Sequence, residues 1–418
     1  MSDTLFSTFK NLKGNPRACV YTEPLWGLSM NLCMPYISVY MLSLGLSDTR
    51  IGFIVTVNTL MQMFFSFFSG PVTDKMGRRK ATAFFDIIAW CIPCIIWWRA
   101  EGFWFFVVAA ILNGTNGITT NSWHCLLVED AEKKQITRIY SLIMICGQLS
   151  AIFAPISAVL INKLTLVPAI RILFINGCIL MAIKVIILYL ASKETAVGKV
   201  RIIETKGKNI FQLVGGYGDV IKIILKSRGT IFAIVIAALG WIVATINNTF
   251  WQIIVNKKLL VPEAVLPLFN VFRSVVAIIF LFFVIPRFLK GLLKVPFILT
   301  FISYFIGQLL LILIPVDSSV VYSLLLVSLV FEGFGVGALI TLCESVIAIH
   351  VDPNERARIM AIRYMFIMIA TAPFGWIGGI LSDISRNLPF VLNMVILVIG
   401  IIITLVYYRK KNDHSAEQ

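Results

Sequence analysis

The sequence predicts an all-α integral membrane protein whose twelve transmembrane helices fall into two sets of six. Three observations carry that prediction. Hydrophobic residues make up 59% of the 418 and charged residues only 14%, with a mean hydropathy of +0.90; a water-soluble chain carries about a quarter charged residues. The apolar stretches are continuous over about 20 residues, the length a helix needs to cross a bilayer, whereas barrel strands are shorter and alternate. One long hydrophilic segment, 192–228, separates six such stretches from six more. In lipid each helix satisfies its own backbone hydrogen bonds, so irregular spans are excluded.

Taken in order, the spans are read at 19–42, 49–69, 81–98, 103–127, 139–161, 169–191, 229–255, 263–285, 296–314, 319–349, 357–381 and 388–408. The first is preceded by Lys10, Lys13 and Arg17 and followed by no small-residue cleavage site, so it is expected to be a retained helix rather than a removable signal peptide. An even number of spans puts both termini on one side. Most of the 36 Lys and Arg fall in the tails and alternate loops on that side, which makes it the cytoplasm. The same asymmetry accounts for the net charge of +15, and no nucleic-acid partner is needed to explain it. The expected organisation is a six-helix bundle at 1–191, a basic cytoplasmic loop at 192–228, a second six-helix bundle at 229–408 and a cytoplasmic tail at 409–418. The expected setting is the plasma (inner) membrane, with the chain a multi-pass monomer.

All eight cysteines lie in apolar spans. Cys91 and Cys94 have the spacing of a redox pair, but a hydrophobic helix makes them small core residues. The histidines His124, His350 and His414 are scattered, so neither a metal site nor a cofactor is expected. The central loop carries Lys193, Lys199, Arg201, Lys206, Lys208, Lys222, Lys226 and Arg228. Its stretch from Asp219 to Lys226 reads either as an amphipathic helix on the anionic inner leaflet or as solvated linker.

The two halves echo each other. Arg138 precedes Pro155 by the same interval that separates Arg356 from Pro373, and an alanine, Ala154 or Ala372, stands before each proline. Asn113-Gly114 in span four answers Glu332-Gly333 in span ten. Internal repeats of this sort mark transporters built from paired helix bundles around a midplane site.

Between spans two and three stands Gly70-Pro71-Val72-Thr73-Asp74-Lys75-Met76-Gly77-Arg78-Arg79-Lys80. A glycine, an aspartate four residues on, a basic residue and then Gly-Arg-Arg resembles the signature loop of the major facilitator superfamily, and the twelve-span layout with a long central loop is similar over nearly the whole chain. The resemblance implies that fold and transport by alternating access. It also implies that Asp74, Gly77, Arg78 and Asp130 belong to a cluster that latches the two halves at the cytoplasmic face. Physically, the glycines permit a tight turn and close helix approach, Asp74 suits a helix N-terminus, with Asp352–Ala357 the expected one, and Arg78 can pair with Glu129 or Asp130. Gly70, Arg79 and Lys80 complete the loop. The sequence departs from the family pattern in three places. The second-half loop Pro286–Lys294 keeps its charge but has no acid. Ala110 stands where span four would carry an arginine. The antiporter proline pattern of span five survives as Ser150, Ala154, Pro155 and Ala158.

Polar stripes inside apolar spans mark a bundle interior or a wet cavity. Span four carries Asn113, Asn116, Thr120 and His124. Span seven carries Trp241, Thr245, Asn248 and Gln252, with Asn247 and Trp251 adjacent. Asn31 in span one and Glu332 in span ten join them, and in the resembling family spans one, four, seven and ten line the cavity. Interhelical hydrogen bonding is the competing reading for any one of these residues. Arg273 and Glu332 lie at matching depth in spans eight and ten. They are expected to pair, either to bind a charged solute group or to couple protons, or else as a purely structural bridge. Glu23, Asp86, Glu344 and Arg363 lie closer to the cytoplasmic ends, where water is within reach, and Lys184 is expected to snorkel. Gly333/Gly337 and Gly375/Gly379 permit close helix contact.

The functional expectation is a secondary transporter of a small organic solute, proton-coupled and leaning towards efflux, with uptake of a sugar-like or other polar nutrient as the alternative. No nucleotide-binding signature is present, and neither a nucleophile motif nor a clustered metal set points to a membrane enzyme. A non-transporting sensor is a further alternative.

Overall fold

The computed structural model describes residues 5–132, 135–213, 224–225, 227–280, 293–316, 320–350 and 356–416. Most of the expected amphipathic stretch at 219–226, nearly all of the second-half loop at 286–294 and the helix start expected at Asp352 lie outside the described residues. Among the described residues there is helix and no strand, and the described part of each expected span coincides mainly with helix. Among the described residues, eight helices are long and apolar enough to cross a membrane: 48–76, 78–99, 103–128, 166–191, 228–257, 294–313, 362–384 and 388–409.

The helices are α1 (Leu5–Asn11), α2 (Gly14–Cys33), α3 (Ile37–Ser43), α4 (Asp48–Met76), α5 (Arg78–Asp86), α6 (Ile92–Arg99), α7 (Phe103–Asn113), α8 (Asn116–Val128), α9 (Ile136–Ala151), α10 (Pro155–Leu164), α11 (Leu166–Ala191), α12 (Ala196–Glu204) and α13 (Ile210–Leu213). After the central loop come α14 (Arg228–Lys257), α15 (Leu266–Ile279), α16 (Lys294–Leu313), α17 (Val321–His350), α18 (Arg356–Ile384) and α19 (Leu388–Ala416). Packing divides the chain into two units. One comprises Met1–Gly45 with Val57–Gly215, the other Leu46–Thr56 with Gly216–Gln418.

Several spans are broken where the sequence removes a backbone donor. Span three passes through one π turn, Ile87–Cys91, between α5 and α6. Pro93 has no N–H for the carbonyl of Ala89 four residues earlier, and that oxygen instead accepts from Asn113 Nδ2 at 2.7 Å. Asn58 Nδ2 in turn donates to Asn113 Oδ1 at 3.0 Å and to the Ala110 carbonyl at 3.1 Å. Span five breaks between α9 and α10, ahead of Pro155.

The first unit packs α2 against α11 through small groups. Ser29 Oγ donates to the Gly177 carbonyl at 3.1 Å, and a Cβ at Gly177 would stand 2.9 Å from that same Oγ. A buried cluster of Cys19, Val20, Leu126, Leu127, Ile139 and Leu188 joins α2, α8, α9 and α11. On α11, Ile179, Ile183, Ile186 and Leu190 lie along one exposed face at helical spacing. That apolar stripe suits lipid and would be a liability in water. In the second unit the start of α4 lies on α18. Asp383 accepts from the Asp48 and Thr49 amides at 3.0 and 2.9 Å, capping α4. Wholly buried Asp48 meets Ser382 and Arg386. Gly375 and Gly379 serve this packing, because a Cβ on either would strike residues 48–56.

Three charges depart from expectation. Lys184 does not snorkel. It is 5% exposed, with Nζ 3.9 Å from Glu23 and 3.7 Å from Asp86. Those two acids do not reach water either, being 8% and 1% exposed. All three face inward, from α2, α5 and α11.

Candidate functional site

The signature loop lies entirely in the first unit and turns at Gly77, whose φ of +84° and ψ of 154° belong to a region open essentially to glycine alone. The turn frees the amides at the start of α5, and Glu194, from the central loop, takes two of them. Arg78 N donates to Oε1 at 2.8 Å and Arg79 N to Oε2 at 3.1 Å, which also sets a carboxylate at the positive end of a helix. The Arg78 side chain is buried and forked. Nη1 pairs with Asp74 at 2.9 Å and Nε with Glu129 at 3.0 Å. Arg79 lies over the Tyr189 ring and donates to the Tyr189 carbonyl. Lys75 Nζ donates to the Lys208 carbonyl.

Asp130 stands beside this network without touching Arg78. Its Oδ2 accepts from Asn15 Nδ2 at 3.0 Å and its Oδ1 from the Ala196 amide at 3.2 Å, at the start of α12. Of the two acids expected to pair with Arg78, Glu129 is the one that does. Gly70 has open space around its Cα, so no packing contact explains it. Lys80 lies on the rim of a shallow apolar surface groove with Phe84, Ile87 and Leu190.

In the second unit Glu332 on α17 is 1% exposed and is met by three donors. Gln308 Nε2 on α16 lies at 2.7 Å, Asn247 Nδ2 on α14 at 3.2 Å and Arg273 Nη2 on α15 at 3.3 Å. The network continues through Gln308, whose Nε2 also reaches Asn247 Oδ1 at 3.2 Å and whose Oε1 accepts from Asn393 Nδ2 on α19 at 3.1 Å. Arg273 lies over the Trp251 ring, its Cζ 5.0 Å from the centroid. A Cβ at Gly307 would stand 2.8 Å from Glu332 Cγ, so glycine there lets the acid lie flat against α16. Ion pair and amides balance: an isolated carboxylate at this depth would cost several kcal/mol, and here it is neutralised by arginine and hydrogen-bonded twice more.

The cluster still has unused polar atoms. Trp251 Nε1, Arg273 Nε, Tyr304 Oη and Asn393 Oδ1 are buried without a hydrogen-bond partner. Buried polar groups are nearly always satisfied, so these four atoms are exceptions in the core of the second unit. Three of the four are donors or can donate.

The other expected cavity residues fall elsewhere. Asn31 Nδ2 is spent on its own helix, at the Gly27 carbonyl, and Asn113 is spent on Ala89. Asn116 has only a 3.5 Å contact from Thr120. Trp241 is exposed and edge-on to Tyr364, Asn248 is exposed, and Gln252 is buried. Thus Asn247 and Trp251, rather than Trp241 and Asn248, give span seven its contribution to the cluster. Gln308, Asn393 and Tyr304 were missed by the sequence reading, as was Glu194. The signal for Gln308 and Asn393 was present, since each is an amide inside a largely apolar span.

A multi-span helical bundle with a buried polar cluster and an acid-and-arginine loop belongs to the solute transporters among membrane proteins. Residues 25–294 and 274–418 match the Major Facilitator Superfamily, and the chain belongs to that family. It is a multi-pass membrane transporter and not an enzyme. It is 22% identical over 131 residues to an uncharacterised transporter of the same type, YqjV of Bacillus subtilis (strain 168), a match that spans about a third of each chain. Its fold is similar to that of a variant of the nucleoside transporter NupG, with a TM-score of 0.74 at 16% identity, covering 94% of this chain and 100% of that one. It is also similar to a POT family transporter solved with 5-aminolevulinic acid, with a TM-score of 0.71 at 15% identity, covering 96% of this chain and 98% of that one.

Proposed function

We propose that this chain is a secondary active transporter that carries a small polar organic solute by alternating access, coupled to protons, and that the cluster around Glu332 recognises the solute. The observation that supports this is the unused hydrogen-bonding capacity of Trp251, Arg273, Tyr304 and Asn393 around a carboxylate that is already neutralised. Donors dominate that set, so it suits a solute bearing carbonyl, carboxylate or hydroxyl oxygens beside a flat apolar part that Trp251 can face. The working site is the plasma (inner) membrane, with both termini cytoplasmic and the protein acting as a monomer. Asp74, Arg78 and Glu129 hold the signature loop in the shape that switching between states requires.

Export is the favoured direction, supported by the remnant of the antiporter proline pattern at Ala154-Pro155, where span five is interrupted. Uptake of a polar nutrient is the second reading, favoured by the polar rather than greasy character of the Glu332 cluster. A thermal-shift screen of the purified protein against a library of small acids, nucleosides, sugars and peptides identifies the solute, and Trp251→Phe is expected to abolish the shift. Flux of that solute into and out of proteoliposomes under pH gradients of either sense then fixes direction. A wild-type flux indifferent to both gradients would end the proton-coupled reading.

A further inference from the structure

Lys184, Glu23 and Asp86 lie in the first unit, far from the Glu332 cluster in sequence and outside the solute site proposed above. We propose that these three residues form a proton-binding site that couples proton movement to transport. This rests on the reading of the chain as a proton-coupled carrier.

The site has three properties that a purely structural ion pair lacks. First, its charges do not cancel. Two carboxylates face one ammonium, so the trio carries net charge −1 with both acids ionised and zero once a single proton is bound. A residual charge buried among apolar helices is costly, and one proton removes it. Second, the oxygens carry no hydrogen bond beyond their ion pairing with Lys184. Glu23 Oε2 and both Asp86 oxygens are buried with no hydrogen-bond partner. The Lys184 nitrogen stands 3.7 and 3.9 Å away, within ion-pair range but beyond a direct hydrogen bond. The indole Nε1 of Trp123, whose ring lies 5.9 Å from Lys184 Nζ, is likewise unpartnered. Third, the surrounding backbone is irregular. Asp86 immediately precedes the π turn Ile87–Cys91, and Glu23 precedes Pro24, which interrupts the hydrogen bonding of α2. Insertions of this sort recur at functional sites.

The three residues also share a depth. Glu23 is nine residues past the start of α2, Asp86 eight past the start of α5 and Lys184 seven before the end of α11, each about 10–13 Å in at 1.5 Å per residue. All three are measured from the side that carries the signature loop. The other titratable groups around them are thiols, Cys19 on α2, Cys91 in the π turn, Cys146 on α9 and Cys178 on α11, within electrostatic reach of one another or of the acids. Thiols ordinarily ionise only above neutral pH. His124 on α8 packs against Trp123 and Tyr140. The proton passes to a carboxylate oxygen of Glu23 or Asp86 and leaves as hydronium. No bond other than O–H forms or breaks.

Infrared difference spectroscopy of the purified protein between alkaline and mildly acidic pH tests the proposal without any solute. The wild type is expected to show a protonated-carboxyl band that rises as pH falls, and Asp86→Asn or Glu23→Gln to remove it. A wild type in which no such band changes, or a band that survives in both variants, would overturn the proposal. Either variant suffices if the other does not fold. For the solute found by the thermal-shift screen, Asp86→Asn is expected to abolish flux driven by a pH gradient while leaving solute exchange at wild-type rate. Equal loss of both in the two variants, or retention of both, would also overturn it. If no solute moves even through the wild type, the transport reading fails by itself, and the spectroscopic outcome still decides whether the trio binds a proton.

Discussion

Replacing Glu194 isolates what the central loop does for the signature loop. In Glu194→Ala the amides of Arg78 and Arg79 lose a charged acceptor at 2.8 and 3.1 Å. Hydrogen bonds to charged groups contribute about 1.5–3 kcal/mol each, and the partly exposed position of Glu194 argues for the lower end. The helix-end charge is contained in the same figure. The loss is therefore about 3 kcal/mol. For a cooperative unit of this size a loss of 1 kcal/mol lowers Tm by about 2–4 °C, so melting followed by tryptophan fluorescence in detergent should fall by about 6–12 °C. Glu194→Gln keeps one neutral acceptor and should fall about half as far. Glu204→Gln is the control, because the Arg201–Glu204 pair is half exposed on both sides and is worth less than about 1 kcal/mol. If Glu194→Ala melts with Glu204→Gln rather than well below it, Glu194 does not cap α5.

Asn113→Ala leaves the Ala89 carbonyl without its donor, costing about 1–3 kcal/mol, and should lower Tm while leaving solute selectivity unchanged in competition assays. Gln308→Leu strips one donor from Glu332 and one acceptor from Asn393. It should cost about 3 kcal/mol or more and erase the solute-induced thermal shift, whereas retention of that shift would remove Gln308 from the site. A Cβ at Gly117 would lie 2.4 Å from Ser66 Oγ and 2.6 Å from the Gln62 carbonyl, so Gly117→Leu forces α4 and α8 apart at about 1–3 kcal/mol, read as lost expression or a lower Tm.

Helix positions were legible in the sequence because continuous apolarity over a bilayer's thickness depends on composition alone. The signature loop was legible because its glycine and charge spacing is local. Helix phase was not. Asn247 and Asn248 are neighbours and equally polar, and only the packing of α14 in the bundle buries the first against Glu332 and Gln308 and leaves the second exposed. Lys184 was read as a snorkelling side chain because its partners, at positions 23 and 86, are distant in sequence and nothing local announces them. Glu194 lay in a stretch whose basic composition suggested solvated linker, and its role follows from Gly77 turning two amides towards it. The pairing of Arg273 with Glu332 was anticipated from matching depth, whereas Gln308 and Asn393, which complete it, lie in spans nine and twelve, where no polar residue had drawn attention.

If the chain is a carrier, its solute binds at the Glu332 cluster. Counterflow in proteoliposomes, using the radiolabelled solute taken from the thermal-shift screen, tests it most directly. Wild-type vesicles preloaded with unlabelled solute should accumulate label transiently, and Trp251→Phe and Gln308→Leu vesicles with normal protein content should not. Uptake that preloading does not accelerate, or full counterflow in both variants, would contradict the account.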